Sequence, residues 1–126
     1  MKLFSTKTHG VLDYLTAASL LALPRVLGWS GRVTMMLSVA ALGTAAYSAL
    51  TRYELGLVKT LPMPVHLTLD AINGALFCAA PLLLADEEAR VRGTLLGIGL
   101  FELSAALLTE PESRSEWAAK RLALDA

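Results

Sequence analysis

Two histidines and three acids carry the chemistry this chain offers. His9 stands four residues before Asp13 and His66 four residues before Asp70. Residues four apart on a helix face the same way, so each pair makes one stripe of an imidazole and a carboxylate. Glu102 is a third acid inside an apolar stretch. Imidazole nitrogen with carboxylate oxygen suits a divalent metal such as zinc, iron or manganese, and helical bundles build such sites from side chains on facing helices. The same five residues suit a proton or small-solute path, because ionisable groups inside a membrane segment mark function by default. Thr16 and Asn73 extend the two stripes by a further turn, and Glu54 and Tyr47 are candidate accessories.

A packing account uses the same residues. His and Asp bonded to each other would act as polar glue between helices. Interhelical polar contacts in membranes contribute only about 0.6 kcal/mol on average, yet an unpaired carboxylate in lipid is costly. The His-x-x-x-Asp spacing also recurs freely in helices that hold no metal, unlike His-x-x-x-His.

The two stripes are copies. His9/His66, Leu12/Leu69, Asp13/Asp70, Ala18/Ala75, Ala22/Ala79 and Pro24/Pro81 all obey an offset of 57 residues, and Ala49-Leu50 matches Ala106-Leu107 at the same offset. Glu102 has no acidic counterpart: Ala45 or Thr44 stands in its place. A repeat of this kind predicts one structural unit used twice.

The elements that must position these groups follow from composition. The 126 residues are 55% hydrophobic and 17% charged, with a mean hydropathy of +0.55. Soluble domains use about 25% charge to cover their surface, so lipid is the simplest solvent for this chain. The net charge of zero and the lack of any basic run exclude a nucleic-acid footprint. Cys78 is alone and can form no internal disulfide; it reads as a small apolar residue.

Charges delimit four apolar stretches, residues 8–28, 33–51, 64–85 and 91–109. The second has no charge over nineteen residues, about 28 Å of helix, enough to cross a hydrocarbon core. The others hold Asp13, Asp70 and Glu102. Residues 28–31, Gly-Trp-Ser-Gly, are turn chemistry, 86–88 are solvated acids, and 61–64, Leu-Pro-Met-Pro, separate two helical hairpins. Pro64 fits the first turn of the third helix, while Pro24 and Pro81 should kink or end theirs. The expected fold is all-α: a single membrane domain over residues 1–126, a bundle of four transmembrane helices built from two parallel hairpin repeats at about 7–56 and 64–110. Residues 111–126 form a short surface helix or tail, in which Ser113 and Glu116 are spaced as a capping box.

Seven Lys and Arg residues fall on the side of both termini and four on the other, which predicts a multi-pass protein of the cell membrane with both ends cytoplasmic. Lys2 and Lys7 before an apolar run resemble a signal peptide, but no small-x-small cleavage site follows, and the run has an internal twin. Asp13 lies six residues beyond Lys7 and Glu102 seven before Thr109, so both sit roughly 9 to 10 Å from the termini side. Gly93-x-x-x-Gly97 matches a motif for close helix packing. Gly97-x-Gly99 follows no strand, so a dinucleotide fingerprint fails. Tyr14, Tyr47 and Tyr53 could hydrogen-bond the acidic cluster, although Tyr53, near a helix end, reads first as an interfacial anchor.

With Tyr53-Glu54-Leu55-Gly56 and Pro62-Met63-Pro64-Val65-His66 added to the duplicated hairpins, residues 7–109 resemble the small bacterial membrane proteins called SPW-repeat proteins. Their Ser-Pro-Trp signature is reduced here to its proline, in Leu23-Pro24-Arg25 and Ala80-Pro81-Leu82. The resemblance implies a four-helix membrane architecture and no particular activity. The first functional reading is a non-enzymatic membrane protein, structural or ligand-binding, whose partners are the lipid bilayer and further copies of itself in a homo-oligomer. The alternative is a metal- or proton-linked transporter or membrane enzyme subunit using His9, Asp13, His66, Asp70 and Glu102.

Overall fold

The computed structural model describes residues 1–125. Five helices account for most of them: α1 (Thr6–Val26), α2 (Gly31–Leu50), α3 (Met63–Leu83), α4 (Ala89–Leu108) and α5 (Arg114–Leu124). No strand occurs among the described residues, only two single bridges, Phe4 with Thr109 and Thr51 with Leu61. The long helices start one or two residues earlier than the charge pattern predicts, at Thr6, Gly31, Met63 and Ala89. A charged side chain in the first turn still reaches water, so Lys7, Arg32 and Arg90 do not delay the helix.

Local chemistry sets the ends. Ser5 caps α1 by accepting from the Thr8 N–H at 3.2 Å, and Ser30 caps α2 by accepting from the Val33 N–H at 3.3 Å. Each hydroxyl satisfies one of the donors a helix start leaves unpaired. Pro24 and Pro81 end their helices rather than kink them: α1 stops at Val26 and α3 at Leu83. Gly28 then reverses the chain with φ +65°, a left-handed conformation that favours glycine.

Close backbone contacts run chiefly within the pairs α1–α2 and α3–α4, with α3 and α4 nearest one another. The two pairs meet between α2 and α3 and through longer side chains. One end of the fold gathers residues 1–5, 51–62 and 109–113: the Leu3 N–H donates to the Leu108 carbonyl at 2.7 Å, and the Arg52 N–H to the Leu61 carbonyl at 2.8 Å. At the other end Arg32 pairs with Asp86 at 2.7 Å and Glu87 at 3.1 Å.

The interior is divided along its length. Leu20, Val33, Leu37, Ala41, Phe77, Ala80, Leu84, Val91 and Leu95 pack the half near the short turns. The half near the termini is polar. Outside, the helices are greasy: Leu15, Val39, Leu76 and Leu107 are each at least 59% exposed. Soluble monomers rarely show contiguous apolar surface beyond a few hundred Å². Three helices, α2, α3 and α4, are long and apolar enough to cross a membrane. The 21-residue α1 matches them in length but carries Lys7, His9, Asp13 and Arg25.

Two expectations need correction. Gly93 and Gly97 have open space where a side chain would stand, so Gly93-x-x-x-Gly97 packs against no other described helix of this chain. The close approach lies at Gly99, whose added Cβ would sit 2.6 Å from the Gly74 carbonyl oxygen. Three glycines on one helix cannot all face the same neighbour, and the buried stripe of α4 runs through Val91, Leu95, Gly99 and Glu102. Tyr53 is fully buried rather than anchored at an interface, because its hydroxyl has a carboxylate to reach within the fold.

α5 has the capping box that Ser113 and Glu116 promise, with the Glu116 N–H on Ser113 Oγ at 3.3 Å and the Ser113 N–H on Glu116 Oε2 at 3.0 Å. Glu116 Oε1 also accepts from the Met63 N–H at 3.0 Å, tying α5 to the start of α3. Ser113→Ala is expected to weaken α5 by about 1 kcal/mol. Faster amide hydrogen exchange over residues 114–124, with α1–α4 unchanged, is the readout.

Candidate metal centre

α1 and α3 each present a histidine and, one turn on, an aspartate to the polar half of the interior. All four side chains are buried, and one ligand atom from each lies within 4.8 Å of the others. The helical spacing predicts contacts within each pair; the structure adds contacts across them. His9 Nε2 is 2.8 Å from Asp70 Oδ2 and 3.2 Å from Asp13 Oδ1. His66 Nε2 is 3.1 Å from both Asp13 Oδ2 and Asp70 Oδ2. The two Nε2 atoms are 3.2 Å apart, with the rings edge to face.

The outer nitrogens decide what the inner ones are. Thr109 Oγ1 lies 2.8 Å from His9 Nδ1 and donates its own proton to the Ala105 carbonyl at 2.6 Å. Thr51 Oγ1 lies 2.7 Å from His66 Nδ1 and donates to the Tyr47 carbonyl at 2.7 Å. A hydroxyl has one proton. With that proton spent on the helix backbone, each threonine oxygen accepts from an imidazole Nδ1–H. A ring that is neutral therefore carries its proton on Nδ1 and turns a bare Nε2 lone pair toward the other ring and the two carboxylates.

The aspartates are held in the same way. Tyr47 OH donates to Asp70 Oδ1 at 2.6 Å, while Tyr53 OH at 3.0 Å and Ser48 Oγ at 3.3 Å donate to Asp13 Oδ2. Burial, and then the charge of Asp13, raise the Tyr53 hydroxyl above the usual phenol range, so it stays a donor. Gly10 lets that ring approach: a Cβ there would be 2.8 Å from the Tyr53 ring.

Glu102 comes from α4 and is buried beside this group. Asn73 Nδ2 donates to its Oε2 at 2.9 Å, and its Oε1 has no partner. A cavity of about 20 Å³ is lined by Glu102 with His9, Asp13, Asp70, Thr16 and Phe101, among others. Of the accessories, Tyr47 and Asn73 touch the cluster and Thr16 lines its cavity. Glu54 does not join: it is exposed and accepts from Thr6 Oγ1 at 2.8 Å, because it lies past the end of α2, in the loop at the bundle's mouth. Tyr14 donates to the Leu55 carbonyl at 3.1 Å instead.

Thr51, Thr109 and Ser48 are the contributors that spacing alone did not mark, whereas Tyr53 takes the cluster-bonding role that is its second reading. The sequence signal available was position: Thr51 and Thr109 each follow the last residue of a hairpin's second helix. Comparison with family models, curated proteins and solved structures finds no match for this chain.

Proposed function

We propose that this is a four-helix integral membrane protein that binds one divalent transition metal at His9, Asp13, His66 and Asp70. The observation that carries the reading is the orientation of the imidazoles, whose Nδ1–H groups are committed to Thr109 and Thr51. With the rings neutral, four groups that offer only lone pairs meet at one buried point, and a single metal ion satisfies them all. A metal-binding histidine characteristically donates its other N–H to an oxygen, and ligating carboxylates are themselves hydrogen-bonded. Both conditions hold for all four residues. A tetrahedral shell with bonds of about 2.0 to 2.1 Å separates its ligand atoms by about 3.3 Å. The distances from Nε2 to Nε2 and from Nε2 to carboxylate oxygen, 2.8 to 3.2 Å, lie below that spacing, and Asp13 faces His9 with Oδ1 and His66 with Oδ2, so a bound ion would draw the four groups slightly apart. Nitrogen and oxygen donors without sulfur favour zinc, iron or manganese over copper(I).

The competing account, histidines and aspartates bonded to each other for packing, needs a proton on at least one of the two Nε2 atoms, which stand 3.2 Å apart. A metal ion satisfies the same lone pairs without any proton at Nε2. The charges then balance, two carboxylates against one divalent cation, as a site inside a bilayer requires.

The membrane part of the reading takes α1 as a fourth spanning helix. It has the length, and His9 and Asp13 are shielded within the bundle. The duplication draws support from matched parts: 21 residues in α1 and α3, 20 in α2 and α4, and one threonine on each histidine. Both termini face the cytoplasm on the count of basic residues. Elemental analysis of detergent-purified protein is expected to find one zinc, iron or manganese per chain in the wild type and less than a tenth of that in His9→Ala and His66→Ala. A wild type that neither carries such a metal nor takes one up on dialysis against each in turn overturns the reading.

A further inference from the structure

We propose that the metal centre is of the open kind, with one exchangeable coordination position occupied by a water molecule that Glu102 holds. The inference rests on the metal reading above and extends it from what is bound to what that metal can do. Three observations meet at the position.

The first is room. The cavity of about 20 Å³ beside His9, Asp13 and Asp70 is lined by three of the four proposed ligands. A cavity needs about 10 to 15 Å³ of this kind of volume to admit one water, and two to four polar partners to keep it. The second is an unanswered acceptor. Glu102 is 7% exposed, and its Oε1 is buried without any hydrogen bond, whereas Oε2 accepts from Asn73 Nδ2 at 2.9 Å. An unpartnered buried carboxylate oxygen costs free energy, and a water in that cavity supplies the donor it lacks. The third is asymmetry. Every proposed ligand and threonine support has a counterpart in the other hairpin, but Glu102 is matched by Ala45 or Thr44. A purely structural ion gains nothing from a fifth acidic group at one side only.

The coordination chemistry follows. Structural metal sites close all positions with protein ligands, whereas reactive ones leave a position for water or substrate. Here the four protein ligands would leave a fifth position on the Glu102 side. Water held there donates one hydrogen bond to Glu102 Oε1 and offers its lone pair to the metal, so Glu102 positions the water and does not ligate. Leu12, Thr16 and Phe101 line both the cavity and an apolar groove of about 490 Å³ along α1 and α4, so these three side chains stand between the position and the exterior. Ligands that could replace the water are therefore small oxygen donors.

The probe is manganese(II), whose electron spin reports directly bound water through the coupling of oxygen-17. Detergent-purified protein loaded with one equivalent of manganese, in water enriched in oxygen-17, is expected to show one coupled oxygen. In Glu102→Leu, which fills the cavity and removes the acceptor, metal content should stay within twofold of wild type while that coupling disappears. Glu102→Gln, which keeps one carbonyl acceptor, should retain it. Full manganese occupancy without oxygen-17 coupling in the wild type overturns the open position and leaves the metal reading standing. Coupling undiminished in Glu102→Leu overturns the role of Glu102. No uptake of manganese, zinc or iron removes both. The wild-type spectrum decides the existence of the position even if Glu102→Leu does not fold.

Discussion

Thr51→Val and Thr109→Val are each expected to lower metal affinity about 10- to 100-fold while the chain stays folded. Valine has nearly the shape of threonine and lacks only the oxygen. Without it, the Nδ1–H of His66 or His9 loses its acceptor at 2.7 or 2.8 Å. The freed imidazole can move its proton to Nε2, the very atom the metal needs bare, or can turn away. Either costs affinity, and neither removes a ligand. The lost hydroxyl-to-carbonyl bond within the helix has little effect on the fold, since each carbonyl lies in the last turn of α2 or α4. Competition against a chromophoric chelator in detergent measures the affinity, and circular dichroism checks the fold. If His and Asp were bonded only to each other, these variants would shift thermal stability slightly and leave chelator competition unchanged, and that outcome would count against the metal.

How much of this was legible before any coordinates is set by the range of each signal. The long helices follow from the spacing of charges, because lipid-sized apolar runs leave few alternatives, and their ends fall within two residues of expectation. That His9 and Asp13 share a face, and likewise His66 and Asp70, follows from helical periodicity. Periodicity is silent about the partner helix, so the crossed contacts, His9 to Asp70 and His66 to Asp13, could not be read. Thr51 and Thr109 escaped for a related reason. They sit just beyond the helix ends, where a threonine usually does no more than finish a turn. Gly99 was hidden among better-spaced glycines: the motif Gly93-x-x-x-Gly97 has the right interval on the wrong face. Glu54 erred in the opposite direction, since an acid close in sequence to the right end of the bundle is still outside it once the chain turns.

Gly99→Val is expected to be the most damaging glycine substitution within the long helices. A Cβ at this position would stand 2.6 Å from both the Cys78 nitrogen and the Gly74 carbonyl oxygen, and 2.7 Å from Cys78 Sγ. Two of those neighbours are backbone, which cannot swing aside as a side chain does, so α3 and α4 must separate. Overpacking costs about 1 to 3 kcal/mol in general, and contact with backbone puts this case at the upper end, about 3 kcal/mol, or a fall of the order of 10 °C in the thermal midpoint. The separation also reaches the site. Asn73 adjoins Gly74, and Glu102 stands one turn beyond Gly99, so the 2.9 Å bond between them spans the seam that opens. The proposed ligands come from α1 and α3 alone, whereas Glu102 comes from α4. Gly99→Val should therefore lose the oxygen-17 coupling before it loses the metal. Gly97→Val is the control: with no atom within 4 Å of its added Cβ, it should leave both the midpoint and the coupling in place. Equal effects from the two valines would mean that α3 and α4 do not meet at Gly99, and the placement of Glu102 beside the metal would fall with that contact.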